Sequence, residues 1–534
     1  MLISEAVAIS TAPDRREKLA LRVLQLGALA VVLAAAEYKA FELDRYFIPK
    51  ELALHLTAFL AGVLALRTFR RTYFTRVDGM LLAYLALSAV SAVLAVNHWQ
   101  ALRALTVSVS GVCIFWAARA VRESGLARPL LKGLALAVIV GAITSLLQTY
   151  GVDTDLFSIN RAPGGTLGNR NFIAHLAAFG LPLVLFITLS ATRMRSYLMG
   201  AIGVAIIVAV LVLTRSRAAW LAFIAVLAIL ALALVVSRPL RTHGRVWMRL
   251  AGVLVLCAVG VGVVVFAPNS LHWRSDNPYL ESMKSVANYQ EGSGRGRLIQ
   301  YRRSLKMATS HALFGVGPGN WSVVYPEHAA RRDPSLSRDQ PGTTSNPWPS
   351  SDWVAFVSER GFLAALLLLF GFFGIAVQSG WRLLHAADAD EALTAATLLG
   401  VIAATTVSGA FDAVLLLALP TLLVWAALGA LWTPSTSRLR APRASALAAL
   451  ALIAGLGALR SAAQVVGMGL YSTRSDRFSL SIASMIDPGN YRLQLRLARP
   501  GSGLKRSARC KHARAAHELY PSARAARNLN ASCK

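Results

Sequence analysis

The chain has 534 residues, 55% of them hydrophobic and 15% charged, with a mean hydropathy of +0.53. A soluble domain would carry about 25% charge, so the composition excludes an ordinary globular fold. The formal charge of +29 would suggest nucleic acid in a soluble protein. Here arginine-rich cytoplasmic loops that set topology explain it, and no nucleic acid partner is expected.

Apolar runs long enough to cross ~30 Å of hydrocarbon recur along the chain. They predict an all-α polytopic membrane protein of about 12–13 transmembrane helices. The spans fall near 19–37, 51–69, 77–96, 102–120, 129–150, 172–190, 196–213, 218–236, 248–267, 353–377, 392–411, 413–432 and 444–460. Residues 392–432 also read as one span plus a re-entrant segment, which would flip the tail. The first run follows a polar stretch with Arg15, Arg16 and Lys18, and no small-residue cleavage site marks a signal peptide.

Lys and Arg in short connections set the orientation. With the N-terminus inside, the inner connections hold Arg70, Arg71 and Arg76; Arg119, Arg122 and Arg128; Arg193 and Arg195; Arg238, Arg241, Arg245 and Arg249; Arg382; and Arg438, Arg440 and Arg443. The expected divisions are 1–267 (N-terminal helices), 268–352 (a large outer loop), 353–460 (C-terminal helices) and 461–534 (an outer helical tail). In the tail, "IDPGNYRLQLRLA" and "LYPSARAARNLNA" repeat at 33 residues, a spacing close to tetratricopeptide helix pairs. A plain amphipathic helical tail is the alternative. Cys113 and Cys257 read as small apolar residues inside spans, whereas Cys510 and Cys533 would pair only in an oxidising compartment.

Several arginines break the orientation rule. In "LVLTRSRAAWLAF" Arg215 and Arg217 sit in an outer hairpin of about four residues, and "GSGRGRLIQYRRSLKMA" brings Arg295 and Arg297 to the outer loop. Snorkelling to lipid headgroups is one reason for outer arginines. The other is an anionic ligand, since the planar guanidinium engages two diphosphate oxygens at once. "GGTLGNRN" offers Asn169 and Asn171 at a helix start, where amides meet anions, or else an ordinary capped turn. "FGVGPGNW" places Gly315, Gly317 and Gly319 in a turn and follows no strand, so it is no dinucleotide loop. In "SSDWVAFVSERG" Asp352 and Glu359 lie seven residues apart, on one helix face, with Ser350 or Ser351 able to cap it. No HExxH metal-ligand motif is present in the sequence.

The order of these motifs over roughly residues 130–430 resembles the O-antigen ligase family of bacterial membrane glycosyltransferases. That resemblance implies a C-type glycosyltransferase architecture with a periplasmic site under the large loop, in the inner membrane. It implies a polyprenyl-diphosphate-linked glycan donor, a lipid, glycan or protein acceptor, and no cofactor or obligatory metal. The product would be a cell-surface polysaccharide such as lipopolysaccharide. Arg215 or Arg217, and Arg297 beside Arg295, would bind the donor diphosphate. Family members place a His nine residues before the Glu of E-x-G; Glu359 and Gly361 are present, but that position is Ser350. Serine is no general base near neutral pH. Asp352 is therefore the candidate base, with Glu359 beside it in the catalytic set and His311 and His328 within the same loop. Tetratricopeptide-like tails occur in the family, which makes the tail a candidate protein-docking element. The alternatives are a flippase or exporter for lipid-linked glycans and a non-catalytic assembly scaffold. A transporter would bury charges mid-span in related halves, whereas these charges gather at one membrane face.

Overall fold

The computed structural model describes residues 13–69, 74–271, 273, 275, 277–284, 292–434 and 443–533. The loop arginines Arg70, Arg71, Arg438 and Arg440, used above for orientation, lie outside them. The chain is helical almost throughout. Before the large loop run α1 (Arg15–Leu33), α2 (Asp44–Phe69), α3 (Arg76–Val93), α4 (His98–Glu123), α5 (Ala127–Thr149), α6 (Arg170–Leu189), α7 (Met194–Thr214), α8 (Arg217–Val236), α9 (Arg238–Thr242) and α10 (Gly244–Phe266). The loop carries α11 (Pro278–Lys284), α12 (Gly292–Ser310) and α13 (Trp321–His328), and ends at α14 (Asp352–Arg360). Then come α15 (Phe362–Leu384), α16 (Ala389–Phe411), α17 (Ala418–Leu431) and α18 (Arg443–Thr473), followed by the tail helices α19 (Arg477–Ile486), α20 (Tyr491–Ala498), α21 (Arg506–Leu519) and α22 (Arg524–Ala531).

Among the described residues eleven helices are long and apolar enough to span a membrane. Thirteen spans were expected, and α1 and α17 make the difference. The first turn of α1 is "RREK", and the helix stops at Leu33. The Lys50 ammonium closes that end by donating to the carbonyls of Val32 (3.0 Å) and Ala34 (2.6 Å), which are left without helical partners. α17 has 14 residues, about 21 Å at 1.5 Å per residue, and every one of them is buried. It forms the centre of the bundle, against α4, α1, α2, α5 and α16. The segment before it, 412–417, is non-helical backbone inside protein, tolerated at depth only where its amides are satisfied.

The rim is formed by helices with little cover. Only 17% of the apolar window of α10 is buried, against 83% for α4 and α6, so Leu254, Val255, Val259 and Phe266 face outward. One end of the bundle is fixed by a buried ion pair. Asp78 completes a capping box with Thr75 at the start of α3, and accepts Arg119 Nη1 (2.9 Å) and Trp116 Nε1 (2.9 Å) from α4. Arg122 and Arg382 meet the end of α17 at Trp432 and Thr433 there. The start of α17 lies at the opposite end, beside α14 and the loop.

The tail folds back onto that loop. The Arg524 amide donates to the Pro341 carbonyl (2.9 Å), Ser522 Oγ to Glu327 (3.0 Å), and Asn97 Nδ2 to the Leu519 carbonyl (2.9 Å). Tail helices are short, with hydrophobic contacts between neighbours, and a Cys510–Cys533 disulfide ties α21 to the residues after α22.

Candidate active site

Two turns, the first of them glycine-rich, are held by carboxylates of α14. The "GVGPGNW" turn needs left-handed backbone: φ is 66°, 102° and 68° at Gly315, Gly317 and Gly319. It wraps around Glu359, whose Oε2 accepts the Gly319 amide (2.8 Å) and whose Oε1 accepts that of Trp321 (3.3 Å). Main-chain bonds from Val316 to Ser358 and from Gly317 to Glu359 continue the contact. At the other end of α14, Asp352 Oδ1 and Oδ2 accept the amides of Val414 (2.9 Å) and Leu415 (2.8 Å). Ser351, not Ser350, caps this helix.

Both carboxyls are buried. Burial pushes Asp352 up to about 7 against the pull of the Leu415, Val414 and Leu416 amides. It also raises Glu359, against the Arg360 charge and two amides. With their oxygens accepting backbone amides, Asp352 and Glu359 hold the two turns in place. Gly315, Gly317 and Gly319 likewise serve the packing around Glu359.

The arginines gather elsewhere at this end, around the first turn of α6. Arg215 ends α7 at φ 54°, a left-handed position usually filled by Gly or Asn. Its Nε donates to Ser282 Oγ (2.8 Å), and its guanidinium lies 4.6 Å from the Trp273 ring centre. Arg170, the first residue of α6, lies 5.2 Å from that ring, so one indole engages two cations. Burial lowers the Arg215 pKa, with Glu281 and Tyr279 opposing, and the group stays charged. Arg217 opens α8 and is half-buried, whereas Arg295 is exposed on α12.

Asn169 spends its side-chain oxygen capping α6, accepting the Asn171 amide at 3.0 Å, which is the ordinary capped-turn alternative. Asn171 Nδ2 donates to Asp412 Oδ2 (3.4 Å). His175 Nε2 is 4.0 Å from the same Asp412 oxygen. Arg297, half-buried on α12, is close enough for its charge to act on the His175 ring. One turn on, the Tyr301 hydroxyl donates to the carbonyls of Ser350 and Ala410. Ser350 and Asp412 are thus brought to one place. His311 and His328 stand together near Lys306 and Glu327, on the side that meets the tail.

Sequence reasoning missed His175, Asp412 and Trp273 as site residues, and left Arg170 as one more outer arginine that breaks the orientation rule. For His175 and Asp412 a signal was available: an ionisable side chain inside an apolar stretch is a functional-site hypothesis by default. A cavity lined by Glu51, Arg103, Glu359, Arg360 and Leu417 lies beside Trp348, which packs edge-on against Phe47.

These features define a polytopic helical membrane protein whose polar site lies at one end of the bundle, under an extramembrane loop, and is rich in guanidinium groups. Residues 202–369 match the O-antigen ligase domain. Over that stretch the chain is similar to the O-antigen ligase family, whose members are ligase- and polymerase-type glycosyltransferases. The match takes in Arg215, Arg217, Arg295, Arg297, Asp352 and Glu359, while His175 and Asp412 fall outside it. Comparison with curated proteins finds no match.

Proposed function

We propose that the protein transfers or polymerises a glycan from an undecaprenyl-diphosphate-linked donor onto an acceptor hydroxyl, at the periplasmic face of the bacterial inner membrane. The observation that carries this reading is the grouping of Arg170 and Arg215 about Trp273 at the start of α6, with Arg297 acting on His175 further along that helix. A helix N-terminus carries about half a positive charge, and guanidinium forks match diphosphate oxygens. The acceptor oxygen bonds to the anomeric carbon while the bond from that carbon to the diphosphate oxygen breaks. The electron pair leaves on the diphosphate, where the arginines stabilise the charge without a metal.

The disulfide in the tail fits an oxidising compartment. We also propose the tail, which packs on the loop, as a docking element for a protein partner.

The test is reconstitution with an undecaprenyl-diphosphate-linked oligosaccharide and a glycan acceptor. New glycosidic product, lost by about a hundredfold in Arg297→Ala, is the expected result. Translocation of donor without product would replace this reading with the flippase.

A further inference from the structure

The proposed chemistry needs a group to take the acceptor proton, and Ser350 cannot do it. His175 is 1% exposed, yet neither ring nitrogen has a hydrogen-bond partner among the described residues. Burying two such atoms unmatched is unfavourable. The ring faces a small cavity lined by Phe47, Lys50, Leu167, Phe172, Ala413 and Leu417. Asp412 is held in place: its Oδ1 accepts the Ala413 amide (2.9 Å), leaving Oδ2 toward His175 and Asn171. The 4.0 Å gap between His175 Nε2 and Asp412 Oδ2 is the loose geometry expected of a catalytic pair without substrate.

We infer that His175, oriented by Asp412, is the general base of this chain, standing in for the imidazole that position 350 lacks; the inference rests on the glycosyl-transfer reading above. An acceptor hydroxyl entering the cavity gives its proton to a His175 ring nitrogen as its oxygen attacks the anomeric carbon. The Asp412 carboxylate stabilises the imidazolium that forms. The proton then passes to the departing diphosphate or to water, which restores the neutral ring. Three charged groups face His175: Asp412 before α17, Arg297 on α12 and Lys50 on α2.

The experiment compares wild type, His175→Ala, His175→Gln and Asp412→Asn for product formation and for binding of the undecaprenyl-diphosphate-linked oligosaccharide. Loss of about a hundredfold or more in turnover with unchanged donor affinity in either His175 variant is expected. In Asp412→Asn the acidic limb of the kcat/KM profile moves to lower pH, because the imidazolium loses its counter-charge. A merely structural histidine would not produce that shift. Turnover within a few-fold of wild type in both His175 variants, or an unmoved acidic limb in Asp412→Asn, overturns the inference and leaves the transferase reading standing. Absence of product in wild type defeats the transferase reading itself.

Discussion

Arg215 shows how strain and function meet in one residue. Its left-handed backbone costs on the order of 1–2 kcal/mol for a side chain other than glycine, while its bond to Ser282 returns about 1 kcal/mol. Arg215→Gly should therefore leave thermal stability in detergent within about 1 kcal/mol of wild type, yet lose donor binding. A variant that unfolds early, or that binds donor normally, would show that the arginine serves the hairpin alone. Glu359 makes the opposite prediction. Glu359→Gln turns one acceptor of a backbone amide into a donor, at a cost of about 1–3 kcal/mol, seen as a lower unfolding temperature. An unchanged midpoint would remove its role as anchor of the 315–321 turn.

At the scale of elements, α14 is a short clamp between two turns, and its two carboxylates were legible only as a pair on one face. Their spacing said that they share a side; it did not say that each would be consumed by a different backbone segment. Asp352 titrates near 7 in the fold, above its ordinary 3.8. A raised pKa means that ionisation is disfavoured in the folded protein. The stability it contributes is complete below about pH 4 and is lost as pH rises through 7. Unfolding midpoints should fall from pH 5 to 8 in wild type and less steeply in Asp352→Asn. At the opposite end, Asp78→Ala leaves Arg119 buried without its charge partner, and should cost about 3–5 kcal/mol by the same measurement. The shortness of α17 was half visible, as the ambiguity over 392–432. Its complete burial was not, because an apolar run reads the same whether it faces lipid or protein.

The whole molecule places the loop and the tail on one side, since Arg524, Ser522 and Asn97 join them. In a background with Cys510 and Cys533 replaced by serine, Ser337→Cys should react with an impermeant maleimide from outside the inner membrane, and Arg193→Cys only after permeabilisation. The reverse pattern would invert the orientation argued from loop charge. Composition, hydropathy and the distribution of arginine determined by themselves that the chain spans a membrane many times, and which hairpin arginines topology leaves unexplained. They did so because burying apolar surface and keeping charge out of hydrocarbon are constraints on each residue in turn. The tertiary structure alone decided what surrounds those arginines. It gave the Asp352 and Glu359 carboxylates to backbone amides, and it set His175 beside Asp412 across 237 residues of sequence. Such pairings depend on how helices distant in the chain pack, and no local pattern encodes that.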